Sequence, residues 1–453
     1  MGDTRRDFIK KSAFAAAGLA AAATMPISAK SYSRILGAND KVVVGLVGFS
    51  DRAKNSLVPP FMGYSERLNF EIKGLSDIWN RRRNEGVEFF KSKYNKDVVT
   101  YLNNDELYND KDIDAVIIST ADFQHAIHAI EAANNKKDAY VEKPFAETME
   151  DNRNALKAVK ESGIILQIGS QRRSGSNYHA ANDFIKSGKF GDIKMVEMSW
   201  NVNQPGRWRR PDLVSTIKET DVDWKRYLIN RPLENWDPRK YVEYRLFWPY
   251  SSGIPGQWMS HQIDTVHWFS GYNFPRSVSA NGGIYMWNDG RKNFDAMTAV
   301  FDYGPEDDMN KGFQVVYSSR MFNSAGGVKE IYYSNGGELN LDTNKVTANG
   351  GLTEQFAKDM KMKSNQLADL DLSANAPKAI TDANTGTDPM TSAHMLNWME
   401  SVRDRKTPHG PVEAGYYHSV ANIMTTAALR TKKFIQYDKN SQEVLADGKV
   451  FKY

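Results

Sequence analysis

Two places in this chain gather side chains able to move protons or steady charge. The first is Glu142-Lys143-Pro144, which closes the run Asp138-Ala-Tyr-Val-Glu-Lys-Pro. An earlier apolar run, Asp114-Ala-Val-Ile-Ile-Ser-Thr120, and a helix-like stretch holding His125 and His128 come before it. This order reads as strand, helix, strand. It delivers Lys143 to the carboxyl end of a strand, the edge where open α/β sheets place ligands and chemistry. Pro144 fixes the turn that follows, so Lys143 is a candidate catalytic group. The second place is Gly256-Gln257-Trp-Met-Ser-His261-Gln-Ile-Asp264-Thr-Val-His267-Trp268. There His261, Asp264 and Trp268 recur at helical spacing and are expected to share a face. His125 with His128, and His261 with Asp264 and His267, also have ligand-like spacing. A metal centre needs three or more convergent ligands with outer support, and none is expected.

The elements that must position these groups begin with a nucleotide-binding half. Lys41-Val-Val-Val-Gly-Leu-Val-Gly48 suits a buried parallel strand. Aligned on Gly48, the phosphate-loop fingerprint reads Gly48, Ser50 and Ala53, with Ser50 departing from glycine where the backbone nears the phosphates. Phe70-Glu-Ile-Lys-Gly-Leu-Ser-Asp77 is a second strand ending in an acid. Asp77 could bind the adenosine ribose, which favours NAD over NADP, or cap the next helix. Arg81, Arg82 and Arg83 could instead hold a 2′-phosphate. After Ser174 the pattern changes to strands at 194–202, 276–280, 295–302, 312–319, 328–333 and 337–341 without alternating helices, a mainly antiparallel sheet. Residues 392–402 and 414–430 read as two helices. The expected fold class is α/β: an N-terminal Rossmann dinucleotide-binding domain (39–173), then an α+β substrate and oligomerisation domain with a large, mainly antiparallel open sheet (174–390). Helices in 391–453 are expected to pack back on the body.

These segments resemble the Gfo/Idh/MocA oxidoreductases, most closely an exported branch. The resemblance rests on 114–125, Val141-Glu-Lys-Pro144, Gln167-Ile-Gly-Ser-Gln-Arg-Arg173, Asp223-Trp-Lys-Arg-Tyr-Leu, Arg245-Leu-Phe-Trp-Pro-Tyr and 256–264. It implies that Ser119, Thr120 and His125 line the cofactor, with Glu142 and Lys143 beside the nicotinamide ribose and ring. Gln171 and Arg172 would border nicotinamide and substrate, and His261 would be the catalytic histidine. Gln257 falls where relatives carry an aspartate; a neutral amide cannot raise a histidine's basicity as a carboxylate would, which leaves Asp264 as a possible substitute. Arg172, Tyr178, Trp200, Asn201, Arg207, Trp208 and Gln257 are the candidate substrate contacts.

The N-terminal Thr4-Arg5-Arg6-Asp7-Phe8-Ile9-Lys10 and the alanine-rich segment after it form a twin-arginine export pattern. Residues 1–29 are thus expected to be a signal, with a periplasmic product and no stable membrane insertion after its removal. The alternatives are an amphipathic helix or an uncleaved anchor. The chain has no cysteine, which excludes a lipoprotein, disulfides and thiolate chemistry. The net charge of +4 gives no reason to expect nucleic acid. Three functions follow as expectations. The first is an NAD(H)-dependent oxidoreductase acting on a hydroxyl of a sugar, polyol or glycoside, of the glycoside 3-dehydrogenase type, with tightly held cofactor. The second is a redox-neutral NAD-dependent glycoside hydrolase, with Tyr178 or Asp264 as an extra base. The third is a degenerate sugar-binding protein. The family implies a homodimer or homotetramer.

Overall fold

The computed structural model describes residues 41–373 and 388–452. The twin-arginine motif and residues 1–29 lie outside these. Six parallel strands come first among the described residues: β1 (Val42–Val47), β2 (Phe70–Ser76), β3 (Val99–Tyr101), β4 (Ala115–Ile118), β5 (Asp138–Val141) and β6 (Leu166–Ile168). Their order, β3-β2-β1-β4-β5-β6, reverses direction between β1 and β4, and a crevice opens at such a switch point. β4 and β5 are buried at every residue, as their unbroken apolar runs require when helices cover both faces.

Among the described residues the second sheet has eleven strands. They are β7 (Met195–Asn201), β8 (Ser277–Gly283), β9 (Ala296–Tyr303), β10 (Phe313–Arg320), β11 (Val328–Ser334), β12 (Gly337–Asn340), β13 (Lys345–Thr347), β14 (Leu370–Asp371), β15 (Ile435–Asp438), β16 (Glu443–Ala446) and β17 (Lys449–Val450). Their order is β14-β13-β12-β11-β7-β10-β9-β8-β15-β16-β17. Every pairing is antiparallel except β7 with β10. Alternate residues of β9 and β10 are buried, which marks one covered face. The last three strands come from residues 435–450, where the sequence reading expected helices alone.

Two C-terminal helices tie the halves together. Pro389–Asp404 places Met395 and Trp398 in the Rossmann core, where Trp398 meets Phe70 and Tyr140. Val412–Thr431 is buried along most of its length. Gly415 lets it approach closely, since a Cβ there would lie 2.8 Å from Ile168 and 2.9 Å from Phe145. Among the described residues no helix is long and apolar enough to cross a membrane.

Candidate active site

A cleft of about 850 Å³ runs along the carboxyl edge of β1, β2, β4 and β5 and continues beneath the large sheet. At one end, the turn after β1 places Gly48 at φ +83°, where a Cβ would sit 2.9 Å from Thr120 Cγ2. Only glycine fits both that conformation and that approach. Ser50 does not obstruct the turn. Its Oγ donates to Ser119 Oγ at 3.2 Å and accepts from Ala53 N at 3.2 Å, and Ser119 Oγ donates to Gly48 O at 3.1 Å. The departure from glycine is thus built into the loop's own hydrogen bonds. Asp77 accepts from Phe49 N and Trp79 N, both at 2.9 Å. It therefore braces the phosphate loop as well as the helix start, and burial pushes its carboxyl above the usual range.

Beyond this end the chain roofs its own cleft. The segment between β7 and the helix Ser260–Ser270 returns over the Rossmann edge. Gln124 Nε2 donates to Tyr227 O at 2.7 Å, and Arg226 reaches Asn104 Oδ1 and Asp105 Oδ2 at 3.2 and 2.9 Å. The ring of Tyr241 meets Trp79 edge-on at 5.9 Å. The sequence marked this segment only by the family-like Asp223-Trp-Lys-Arg-Tyr-Leu and Arg245-Leu-Phe-Trp-Pro-Tyr and by Arg207 and Trp208; its role as a roof did not show, because its short helical turns carry no sustained period.

The reactive end is built around Lys143. A cis Lys143–Pro144 bond follows β5. Phe145 N then donates to His418 Nε2 at 3.4 Å and Ala146 N to Ser419 Oγ at 3.0 Å, both on Val412–Thr431. The His125 ring bridges Pro144 O and Thr120 O, at 2.8 and 3.2 Å, so it fastens the lysine turn to the end of β4. Lys143 Nζ donates to the backbone carbonyl of Gln257 at 2.5 Å. Burial pulls the amine down to about 7, against the pull of Asp122 and Glu142. Glu142 is itself paired with Arg52 at 2.8 Å.

His261 begins the helix Ser260–Ser270 directly after a π-helical turn, Pro255–Met259, a departure from the α-helix that is frequent at functional sites. It faces the cleft beside Lys143. Burial, reinforced by the charges of Lys143, Arg172 and Arg52, drives it far below its ordinary value, so the imidazole is neutral. An aromatic wall flanks it: Trp200 stacks on His261 at 5.8 Å and on Trp258 at 6.1 Å, and Trp208 lies 5.5 Å from Trp258. The Arg207 guanidinium covers the Trp258 ring at 5.2 Å.

Most expected site residues therefore converge: Gly48, Ser50, Asp77, Ser119, Thr120, His125, Glu142, Lys143 and Gln171 line the cleft, as do Trp200, Arg207, Trp208, Gln257 and His261. Four do not. Asp264 is three residues beyond His261, about 60° round the helix, and is buried in a bidentate pair with Arg173 at 2.7 and 2.9 Å. It lies 4.0 Å from His418 Nδ1 and supports the lysine turn from behind rather than acting within the cleft. Arg172 turns away to Glu330, its guanidinium between the rings of Tyr178 and Trp200. That burial keeps Tyr178 out of the cleft too. Asn201 follows Trp200 on β7, so the two side chains face opposite sides, and its amide donates to Ala325 O at 3.3 Å.

Several contributors escaped the sequence reading, among them Arg52, Tyr244, Arg245 and Trp258. Trp258 follows Gln257 directly, and the π-helical turn brings both to the site. Arg52 stands in the first helical turn after Gly48, where a search for partners of Glu142 would have found it.

Residues 42–170 match the family model described as oxidoreductase family, NAD-binding Rossmann fold (Gfo/Idh/MocA). An inositol 2-dehydrogenase of Salmonella paratyphi B is 27% identical over 213 residues, which is 47% of this chain and 60% of that enzyme. The match thus spans less than two thirds of that relative. Among solved structures, the WlbA dehydrogenase of Bordetella pertussis in complex with NADH and UDP-GlcNAcA superposes with a TM-score of 0.62 at 16% identity, covering 88% of this chain and 98% of that one. Levoglucosan dehydrogenase in complex with NADH and levoglucosan gives 0.62 at 15%, covering 87% and 99%. These likenesses establish the two-domain fold. The match to the family model, with the Gly48 cradle and the acid at the end of β2, makes residues 42–170 similar to the NAD-binding Rossmann domain that this model describes.

Proposed function

We propose that this protein is an NAD-dependent oxidoreductase that exchanges hydride with a hydroxyl-bearing carbon of a sugar, polyol or glycoside. The observation that carries the reading is that Lys143 and the neutral His261 face one cleft with the Gly48–Asp77 nucleotide end and the Trp200–Trp258–Trp208 wall. The fit of a dinucleotide rests on the Gly48 cradle, whose close approach to Thr120 leaves no room for a side chain. When bound, NAD supplies the hydride acceptor or donor.

The chain's own residues do the rest. Indole faces pack against the apolar faces of a pyranose or cyclitol ring. Lys143, held by Gln257 O, donates to the reacting oxygen and steadies charge that develops there. His261, already neutral, takes the hydroxyl proton during oxidation and returns it during reduction. NAD is favoured over NADP because Asp77 is held at the end of β2. The roof formed by Tyr227, Arg226 and Tyr241 supports slow cofactor release, and with it recycling of the nicotinamide by a second carbonyl substrate.

The redox-neutral hydrolase reading loses support, because Tyr178 and Asp264, the bases suggested for it, both lie outside the cleft. An exported enzyme, periplasmic and homo-oligomeric, remains part of the proposal, resting on the Arg5-Arg6 motif and the family resemblance. The test is mass spectrometry of nucleotide released from denatured protein, followed by a sugar and polyol screen at the absorbance of reduced nicotinamide. Protein that neither carries nor binds a nicotinamide nucleotide overturns the proposal.

A further inference from the structure

Asp122 opens the turn after β4 and is 1% exposed. It forms no ion pair among the described residues. Three neutral donors hold it instead: Ser251 Oγ and Gln257 Nε2 reach Oδ2, each at 2.6 Å, and Tyr244 OH reaches Oδ1 at 3.3 Å. A carboxylate buried without a direct ion pair is costly unless its oxygens are fully engaged, so its placement calls for a reason. The reason lies one residue away in space. Gln257 donates its amide to Asp122, accepts Arg245 Nε on Oε1 at 2.9 Å, and offers its backbone carbonyl to Lys143 Nζ. Its side-chain orientation is thereby fixed, with the donor end toward the carboxylate and the acceptor end toward the guanidinium.

We infer that Asp122 is a positioning residue for Lys143: it locks Gln257, whose carbonyl holds the amine, and it supplies the negative charge that this amine faces. For its catalytic consequence the inference rests on the hydride-transfer reading. Glu142 is nearer in sequence but is committed to Arg52. Among the influences that favour the charged amine, Asp122 ranks ahead of Glu142, while Arg245 and Arg52 oppose both. His261 and His418 also face the amine; burial depresses both, and the charge of the amine adds to it. On its other sides Asp122 faces His125, Tyr227, Tyr244 and the guanidinium of Arg245. Burial holds His125 below its ordinary value, against the pull of Asp122.

The test is Asp122→Asn. The amide oxygen can take both Ser251 and Gln257, and the amide nitrogen can donate to Tyr244, so shape and hydrogen bonding survive while the charge goes. Competitive amine labelling across pH, read by mass spectrometry at Lys143, should show the labelling midpoint falling by about one unit, a tenfold change in the protonated fraction. The alkaline limb of kcat/KM should fall with it. Tyr244→Phe and Ser251→Ala remove hydrogen bonds but not charge and should leave the midpoint in place. Asp122→Ser, a second neutral variant, should shift it in the same direction if the asparagine protein fails to accumulate. An unmoved midpoint in the neutral variants overturns the inference, even where turnover falls. A shifted midpoint in a protein whose wild type lacks dehydrogenase activity upholds the placement of Asp122 and refutes the hydride-transfer reading instead.

Discussion

Replacing Lys143 with methionine keeps the length of the side chain and removes its amine. Burial takes this lysine from 10.5 to about 7. Because the folded-state value lies below that of the unfolded chain, the unfolded chain holds a proton that the folded protein gives up between these pH values. The resulting penalty on folding is complete below pH 7 and disappears above pH 10.5. At about 1.4 kcal/mol per unit the full penalty approaches about 5 kcal/mol. The amine is only partly buried and opens onto a solvated cleft, so screening reduces this to about 2–3 kcal/mol. The lost bond to Gln257 O returns about 1 kcal/mol. Lys143→Met should therefore be more stable than wild type at pH 6 by about 1–2 kcal/mol, a few degrees in thermal midpoint or less for a chain of this size, and the gap should close toward pH 10. Turnover should fall about 10²–10⁴-fold, while bound nucleotide stays, since Gly48, Asp77 and the Arg52–Glu142 pair are untouched. Melting curves at several pH values, nucleotide content and steady-state rates decide the matter. A variant less stable than wild type at pH 6, a gap that ignores pH, or activity within tenfold of wild type refutes the reasoning.

Gly48→Ala should weaken nucleotide binding by at least tenfold in a fluorescence titration, because alanine would need a positive φ and would press on Thr120 at 2.9 Å. Arg173→Ala leaves Asp264 charged and buried beside His418, and should cost about 3–5 kcal/mol in denaturant unfolding; Arg173→Lys should recover only part, lacking the planar fork. Burial pulls His267 down to about 3 and His394 and His418 to about 4. The unfolded chain binds these protons first, so stability should be lost as pH falls below about 6.5, by about 1.4 kcal/mol per group per pH unit. Thermal midpoints that stay level from pH 7 to 5 would contradict this.

The Rossmann half was legible because its signals are local. Unbroken apolar runs gave β1, β4 and β5, and position at a strand end singled out Gly48, Asp77 and Lys143. The strands of the second sheet from 194 to 341 also showed their period. What stayed hidden depends on contacts far apart in sequence. Helical spacing put His261 and Asp264 on one face, but a step of three turns the side chain far enough for Arg173 to claim the aspartate. Arg172 and Tyr178 looked polar and available until Glu330, 158 residues from Arg172, drew the arginine into the core. Asp122 stood between Thr120 and His125, both recognised, yet its importance comes only from Gln257, Ser251 and Tyr244. Of the residues roofing the cofactor end, 203–250, only Arg207, Trp208 and two family-like segments stood out, and no repeat announced that they form a roof.

The anchoring of Phe145 and Ala146 to His418 and Ser419 joins positions 273 residues apart. During synthesis the lysine turn is made well before the groups that fix it, 273 residues further along. The nucleotide-binding sheet can collapse first from local contacts, whereas closure of its reactive end awaits a slow, non-local step. A chain interrupted before residue 418 would thus hold every strand of the Rossmann sheet and the lysine itself, and still lack a set geometry for catalysis.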